Sequence, residues 1–374
     1  MERFVYLDYN ATAPVLPEVV EAVRLCLAEE FGNPSSAHVY GLRAKEILEG
    51  SRKAVARLIE AEPEEVLFVS GGTEANNLAL LGTLLRGERG HLLVSKIEHP
   101  SVLKPALRLL EMSYAVEFIP VDGKGYVSPE EVKRRLRPET VLVSVMLANN
   151  ETGTLQPVAE IARICREAGV LFHTDAAQAV GKIPVSVKEI GCDLLTLAGH
   201  KMYAPKGIGA LYIRKGVELS GILFGAGQER GLRPGTEPVP LIAGLGKAAE
   251  IAASDLREEA AREKSLRERL WEGLKEIYPK AIRHGDPELT LPNTLSVTLP
   301  GLNAAEVLSR AREICASTGS ACHDRAESVS HVLSAMGIPP EVARGTIRFS
   351  VGRFTTLEDI DRALEVLKEV LGKA

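Results

Sequence analysis

The feature that most limits the possible folds is an alternation of short apolar runs with amphipathic stretches between residues 60 and 215. Seven apolar runs are typical of β-strands; they span 64–72, 91–99, 115–122, 140–150, 170–178, 193–201 and 208–216. Helical patterns separate several of them, as at 157–169, where apolar side chains share one face and Gly169 ends the pattern. Near-continuous apolar strands alternating with helices predict an α/β fold with a mostly parallel, seven-stranded sheet, covered on both faces.

The pattern changes after about residue 250. A long, charged amphipathic helix is predicted over 255–279, followed by strand candidates at 293–301, 313–317 and 345–353 with helices between them. This mixture is typical of a smaller α+β domain. We therefore predict a large α/β domain over residues 16–250, and a small domain formed by residues 1–15 and 251–374.

Composition excludes several classes of protein. With 45% hydrophobic and 25% charged residues, the 374-residue chain is typical of a globular protein. A net charge of −5 offers no basic surface for direct binding of nucleic acid. The longest apolar run, 141–148, is shorter than the roughly 20 residues of a membrane helix, and no signal peptide precedes it. Cysteines without paired spacing predict a reduced, cytoplasmic protein; they are Cys26, Cys165, Cys192, Cys315 and Cys322.

Chemically reactive side chains follow five of the predicted strands at the points where the strands end. In open α/β sheets, ligands bind beyond the carboxyl ends of the strands. The groups found there are the segment 70–77, His99, the pair Asn149 and Asn150, the pair Asp175 and Gln178, and the segment 199–201. We therefore expect one ligand site at this edge of the sheet.

Each group has a chemical and a structural interpretation. The glycine turn "SGGTEANN" (70–77) opens a helix whose free N–H groups could cradle a phosphate, or it is a plain turn with Thr73 as the helix cap. Asp175 could pair with a protonated ring nitrogen, or cap the following segment. Lys201 could form a Schiff base, with Lys206 as its rival, or be a solvated surface charge. Taken together, a phosphate cradle, an acid, a lysine and a histidine predict a pyridoxal phosphate site.

The ordered motifs resemble those of cysteine desulfurases of the NifS/IscS type, within the class V aminotransferase group of pyridoxal phosphate enzymes of fold type I. The motifs run along essentially the whole chain: "YLDYNATAP", "FGNPSS", "SGGTEANN", "EHPSV", "NNETG", "DAAQAVGK", "GHKMYAPKGIGALY", "ERGLRPGTEPV", "TGSAC" and "IRFSVGRF". The resemblance implies a homodimer with pyridoxal 5′-phosphate as cofactor and L-cysteine as substrate, and it implies no metal.

The resemblance also implies roles for individual residues. Lys201 would hold the cofactor as a Schiff base, Asp175 would pair with its ring nitrogen, His99 would stack on the ring as an acid or base, and Gln178 would bind its phenolic oxygen. The remaining cofactor contacts would come from Gly72, Thr73, Asn150, His200 and, from the other subunit, Thr236. Substrate contacts would come from Asn33, Asn150 and Arg348.

One departure concerns the residue three positions before Lys201. Members of the family often have a serine there, and this chain has Ala198. One hydrogen bond to the cofactor's phosphate is then absent, or is made by Thr196 or by water.

Cys322 lies in the segment "STGSACHDRAES", which has no apolar periodicity, whereas a free cysteine is normally buried. The resemblance implies that its thiolate takes sulfur from L-cysteine, leaving L-alanine, and passes the persulfide to an acceptor protein. That acceptor would be an iron–sulfur scaffold or a tRNA-thiolation enzyme. The alternatives are a selenocysteine lyase, a class V aminotransferase acting on another amino acid, or a non-catalytic sulfur-transfer partner.

Overall fold

The computed structural model describes residues 4–87, 90–318 and 330–372. The strands are β1 Val5–Tyr6, β2 Val66–Val69, β3 His91–Ser95, β4 Ala115–Ile119, β5 Thr140–Ser144, β6 Leu171–Asp175, β7 Leu194–Ala198, β8 Gly209–Ile213, β9 Ile282–Arg283, β10 Thr294–Thr298, β11 Ile314–Cys315, β12 Ser317–Thr318 and β13 Thr346–Ser350. The α-helices are α1 Pro17–Ala28, α2 Val39–Leu58, α3 Gly72–Leu84, α4 Pro100–Glu111, α5 Pro129–Arg135, α6 Val158–Glu167, α7 Val187–Ile190, α8 Val239–Ile277, α9 Ala304–Arg310, α10 His331–Ala335, α11 Pro340–Ala343 and α12 Leu357–Leu371.

All seven strands predicted between residues 60 and 215 form one sheet. Their order is β2-β8-β7-β6-β5-β3-β4. Strand β8 runs antiparallel to β2 and β7, and the other neighbours in this sheet are parallel. The α/β fold class with a mostly parallel sheet is therefore confirmed. Each strand ends a few residues before the end of the apolar run that predicted it. The last residues of each run therefore lie outside the sheet, where they can line a site.

A second layer of strands belongs to the carboxyl-terminal part of the chain. Strands β12-β13-β10-β9 form an antiparallel sheet, and β1 pairs in parallel with β11. This small sheet packs against α8 and α12 around Leu270, Val297, Phe349 and Leu367. None of the helices within the described residues is both long and apolar enough to cross a bilayer.

The long helix α8 connects the two parts. Ile242 and Leu245 in its first half belong to the core beneath the seven-stranded sheet, whereas Leu266 and Leu270 belong to the core of the small sheet. The predicted boundary at residue 250 therefore falls inside one continuous helix. The division into two domains stays a prediction.

Helices α2 and α8 pack so closely that one position in their contact requires glycine. A Cβ on Gly246 would lie 2.7 Å from the Cα of Ser51, a backbone atom that cannot move aside. Gly50 precedes Ser51 in α2, and a Cβ added at Gly50 would have no other atom within 4 Å. The two glycines thus differ in whether a methyl group fits.

This difference gives a matched pair of variants. We expect Gly246→Ala to lower the free energy of unfolding by about 1–3 kcal/mol, because the added methyl forces the two helices apart. Gly50→Ala should raise it by about 0.5–1 kcal/mol, because alanine loses less backbone entropy in a helix. Chemical denaturation followed by circular dichroism measures both. Equal effects of the two changes would contradict the close helix contact.

Candidate active site

A cavity of about 410 Å³ lies beyond the carboxyl ends of β5, β6 and β7. The amino-terminal segment and strand β13 close its other side. Nine residues predicted from the sequence line it: Gly72, Thr73, His99, Asn150, Asp175, Gln178, His200, Lys201 and Arg348. The expectation that groups from several strand ends meet in one site therefore agrees with the structure.

The beginning of α3 provides one wall of the cavity. Gly71 precedes the helix with φ of 153°, a conformation that favours glycine, and Gly72 and Thr73 form the first turn. The first N–H groups of a helix have no partner within it, and the positive end of the helix dipole attracts anions. This wall is therefore suited to a phosphate.

His200 lies on the same side of the cavity. Its Nδ1 is 3.2 Å from the hydroxyl oxygen of Thr12, and burial together with the positive charge of Lys201 lowers its pKa to about 4. The ring is consequently neutral at physiological pH. It offers a phosphate a hydrogen bond but no charge.

Asp175, the last residue of β6, is held by two donors. Its Oδ1 accepts from the backbone N–H of Ala177 at 2.9 Å, and its Oδ2 accepts from Nδ2 of Asn76 at 2.7 Å. Both donors turn the carboxylate to a fixed orientation on the cavity wall. The group is thus placed to pair with a protonated nitrogen inside the cavity.

A chain of hydrogen bonds runs from Asp175 to His99. Asn76 Nδ2 also donates to the hydroxyl of Ser101 at 2.8 Å, and that hydroxyl oxygen is 2.7 Å from Nδ1 of His99. The backbone N–H of Ser101 donates to the same Nδ1 at 3.1 Å, because His99 caps helix α4. A nitrogen that accepts from a backbone N–H carries no proton, so the proton of the neutral ring is on Nε2.

The electrostatic surroundings keep His99 neutral. Burial lowers its pKa, the neighbouring Lys201 and His331 act in the same direction, and Asp175 opposes them. A neutral ring with a proton on Nε2 can donate that proton to a group in the cavity. It can also stack on a flat ring without adding charge.

Lys201 follows β7 in a short 3₁₀ turn. Its Nζ donates to the backbone carbonyl of Asn10, and at 3.4 Å to that of Ala11. Burial lowers its pKa to about 8, and Arg348 adds to the effect while Asp175 and Asp8 oppose it. A larger share of the amine is then neutral and nucleophilic. The rival Lys206 is exposed and does not line the cavity.

Arg348 extends from β13 into the cavity with its side chain only 5% exposed. One nitrogen donates to Asp8 Oδ1 at 2.7 Å and another to the carbonyl of Asn150 at 2.9 Å. Its buried Nε has no hydrogen-bond partner within the described part of the chain. Each of the two terminal nitrogens carries a second N–H, and Arg348 lines the cavity, so the guanidinium keeps donor capacity for a small anionic ligand.

The pair Asn149 and Asn150 divides into a structural and a cavity residue. Asn149 is fully buried, where its Oδ1 accepts from the backbone N–H groups of Glu151 and Thr152. Asn150 lines the cavity. The prediction of Asn150, and not of its neighbour, as a site residue agrees with this placement.

Two predicted site residues do not line the cavity of this single chain. Asn33 and Thr236 are both exposed, and Asn33 Oδ1 accepts from the backbone N–H of Ser35. Cys322 lies outside the described residues. For Thr236 the exposure agrees with a role in a second subunit, whereas Asn33 is not placed to contact a ligand in its own chain.

Ala198, which stands where members of the family often have a serine, lines the cavity. Thr196 is fully buried, and its hydroxyl is 3.1 Å from Nε2 of His173. The suggestion that Thr196 supplies a missing phosphate contact is therefore wrong, because its hydroxyl is held by a histidine beneath the cavity floor.

Several cavity residues were given no role by the sequence analysis. They are Asp8, Asn10, Asn76, Ser101 and Ser317. Asp8 and Asn10 lie in the motif "YLDYNATAP" and Asn76 in "SGGTEANN", so their motifs were noticed. Their roles depend on partners from 25 to more than 300 residues away, which no local pattern reveals.

Comparison with known proteins assigns the family. The family model for aminotransferase class-V matches residues 5–363. The chain belongs to the class V aminotransferases. It is 45% identical to "Cysteine desulfurase IscS" of Methanosarcina thermophila, over 99% of this chain and 93% of that protein. It is also 45% identical to "Cysteine desulfurase IscS 1" of Archaeoglobus fulgidus, over 98% and 96%.

A solved structure agrees with these relatives. This class V aminotransferase superposes on a "NIFS-LIKE PROTEIN" with a TM-score of 0.93 and 37% identity, covering 99% of this chain and all of the other. The resemblance drawn from the motifs is thereby confirmed across the chain.

Glu98, next to His99, is a fully buried carboxyl group of this class V aminotransferase. Its Oε1 accepts from the Ser95 hydroxyl at 2.5 Å and from the Met146 backbone N–H at 2.7 Å. Its Oε2 has no partner within the described ranges. Burial raises its pKa from 4.5 to about 8. The protonated form of the carboxyl is therefore favoured at neutral pH.

This pKa shift predicts a pH-dependent stability. Because the folded protein binds a proton that the unfolded chain releases, Glu98 makes the wild type lose stability as the pH rises from 4.5 to about 8. In Glu98→Gln this contribution is absent, so its thermal midpoint should rise relative to wild type across the same range. Thermal melts at a series of pH values measure the difference.

The exposed Glu130→Gln is the control for this experiment, and its melts should parallel those of the wild type. A Glu98→Gln curve that also runs parallel to wild type would contradict a protonated Glu98.

Proposed function

We propose that this chain is a pyridoxal 5′-phosphate-dependent cysteine desulfurase. It takes the sulfur of L-cysteine onto the thiol of Cys322 and releases L-alanine. The C–S bond of the substrate breaks, an S–S bond to Cys322 forms, and the substrate carbon gains a hydrogen. The carbon is reduced as the two sulfur atoms are oxidised to a persulfide, so no external oxidant is needed. The single observation that supports this function best is the meeting of Lys201, Asp175, His99 and Arg348 on one cavity.

The residues of the cavity fit the cofactor in three respects. The beginning of α3 with His200 suits the phosphate, Asp175 suits a protonated ring nitrogen, and Lys201 suits an aldehyde carbon. Gln178 points an amide toward the same space. When bound, pyridoxal phosphate supplies an electron-accepting ring that weakens the bonds around the α and β carbons of an amino acid.

The residues of the chain then divide the remaining work. Lys201, with its lowered pKa, is suited to hold the cofactor and to move a proton at the α carbon of the substrate. His99 carries a proton on Nε2, which suits it to donate to the substrate. Arg348 recognises the substrate carboxylate through its free donors, and Asn150 lies beside it.

Cys322 supplies the nucleophile in this proposal. The argument for it rests on the sequence: a thiol among polar residues, after "TGSA", in the position that the resemblance assigns to the sulfur acceptor. A thiolate nucleophile works in a reducing compartment, so we infer the cytoplasm as its location. The persulfide would pass to an acceptor protein, either an iron–sulfur scaffold or a tRNA-thiolation enzyme.

We further infer that the enzyme is a homodimer. Large apolar side chains are exposed on the single chain, among them Phe224 at 94% and Phe31 at 69%, and the Phe31 ring stacks on that of Tyr40. Thr236 is exposed in the segment beyond Phe224, where it can reach a second subunit. A second copy of the chain would cover apolar surface that a monomer leaves in water.

The roles of the lysine and the cysteine can be separated by experiment. Lys201→Ala should lose both the visible absorbance of the bound cofactor and all sulfide release from L-cysteine. Cys322→Ala should keep the absorbance and lose sulfide release, because it lacks only the sulfur acceptor. Absorbance spectra and a sulfide assay with a reducing agent measure the two properties.

Cys315→Ala is the matched control, since it removes a second thiol seven residues earlier in the sequence, and it should retain activity. A Cys322→Ala variant that still releases sulfide would favour the aminotransferase or selenocysteine lyase alternatives. A wild-type protein without visible absorbance would favour a non-catalytic sulfur-transfer role.

Arg348 provides a test of substrate recognition. Arg348→Lys replaces a planar group of several donors by a single ammonium, which cannot bind a carboxylate through two parallel hydrogen bonds. We expect the KM for L-cysteine to rise by about tenfold or more, with cofactor absorbance retained. Steady-state kinetics measure the change. An unchanged KM would place the substrate carboxylate elsewhere in the cavity.

A further inference from the structure

Lys182 is a buried lysine behind the cavity wall, and the proposed function gives it no role. It lies in the turn after β6 and is 6% exposed. Its Nζ donates to Gln178 Oε1 at 2.9 Å and to Asn10 Oδ1 at 3.0 Å. Both acceptors are uncharged amide oxygens, which compensate a buried ammonium less well than a carboxylate does. Burying a lysine among these partners costs free energy, so its presence here calls for a physical explanation.

The surroundings of Lys182 disfavour its charge. Burial lowers its pKa, Lys201 and Arg348 act in the same direction, and the buried Glu263 opposes them. The two hydrogen bonds do not depend on the charge, because a neutral amine still has two N–H bonds to donate. Lys182 therefore contributes donors to the back of the cavity in either protonation state.

The hydrogen bond from Lys182 determines whether the oxygen or the NH₂ group of the Gln178 amide faces the cavity. The oxygen of Gln178 is turned to Lys182, so its NH₂ group is turned to the other side. One N–H donates to the backbone carbonyl of Asn10 at 3.0 Å. The other has no acceptor within the described part of the chain, and Gln178 lines the cavity. The free N–H is therefore available to a ligand oxygen.

Asn10 is held by the same lysine. Its Oδ1 accepts from Lys182 and from Nδ2 of Asn293, and its backbone carbonyl accepts from Gln178 and Lys201. Removing the Lys182 donor would thus leave the Gln178 oxygen without its partner, while Asn10 keeps its bond to Asn293. The effect of Lys182 on the cavity should pass mainly through Gln178.

We propose that Lys182 is a positioning residue that fixes the Gln178 amide so that an N–H, and not the carbonyl oxygen, faces the cavity. The inference rests on the proposed function, in which a phenolic oxygen of the cofactor lies opposite this amide. With Lys182 absent, the amide loses one of the two hydrogen bonds that orient it and keeps only the bond to the Asn10 carbonyl, so the turned-over orientation becomes more populated. Its oxygen would then face the phenolic oxygen, and repulsion would replace a hydrogen bond.

The test uses the full-length protein loaded with pyridoxal phosphate and follows its visible absorbance against pH. A donor to the phenolic oxygen favours the deprotonated form of the chromophore. Lys182→Met, which has similar length but no donor, should therefore shift the midpoint of the absorbance change upward by about one pH unit. Lys182→Gln, which can still donate one N–H to Gln178, should shift it by less than half as much. Equal shifts in the two variants would mean that the charge of Lys182 acts directly, and would overturn the proposal.

A double-mutant cycle with Gln178→Leu provides the second comparison. If Lys182 acts through Gln178, adding Lys182→Met to Gln178→Leu should move the midpoint no further. The same shift in both backgrounds would overturn the proposal. Circular dichroism establishes that each variant is folded, and Lys182→Leu replaces Lys182→Met in the cycle if the methionine variant does not fold.

These outcomes are distinct from failure of the proposed function. A wild-type protein that binds no chromophore would contradict the cofactor assignment itself. A wild type with chromophore but additive shifts would contradict only the role of Lys182.

Discussion

The rest of this molecule depends on one constraint: the polar groups that meet at the carboxyl-terminal ends of β5, β6 and β7 need hydrogen-bond partners. Parallel strands bring their carboxyl ends to the same edge. Beyond that edge there are no further hydrogen bonds between strands, so backbone and side-chain polar groups need other partners. The amino-terminal segment fills this gap. Its residue Asn10 accepts from Lys201 and Gln178 through its carbonyl, while its own backbone N–H donates to the hydroxyl of Ser350 in β13. The turn that contains Asn10 thus connects the edge of the large sheet to the small sheet.

Burial is the common cause of the unusual protonation states around the cavity. It lowers the pKa of Lys201 and of His200, and it raises that of Glu98. In each case the uncharged form becomes more accessible near neutral pH. The cavity consequently combines an amine of lowered pKa and two neutral imidazoles with the side chains of Asp8, Asp175 and Arg348. Hydrogen bonds from Asn76 to Asp175 and from Arg348 to Asp8 orient these groups.

Much of the site could be predicted because each strand carries its own reactive residue at its end. Lys201, Asp175 and His99 were found in this way, and the structure brings all three to one cavity. Asn76 and Ser101 could not be assigned, because their role is to connect Asp175 with His99 across two helices. The role of Lys182 could not be assigned from the sequence either, since its partner Asn10 is 172 residues away along the chain. Thr196 was suggested for the opposite reason: it lies near in sequence, but its hydroxyl points to His173.

Local chemistry in the sequence was sufficient for the seven strands of the large sheet and for the reactive groups at their ends, because apolar periodicity and residue type act over a few neighbours. It was also sufficient for the family, since the motifs follow one another in a specific order. Only the tertiary structure decided which way the Gln178 amide faces, which ring nitrogen of His99 carries the proton, and that α8 is continuous through residue 250. These properties depend on hydrogen bonds and packing between segments far apart in the chain, and such contacts exist only after the chain has folded.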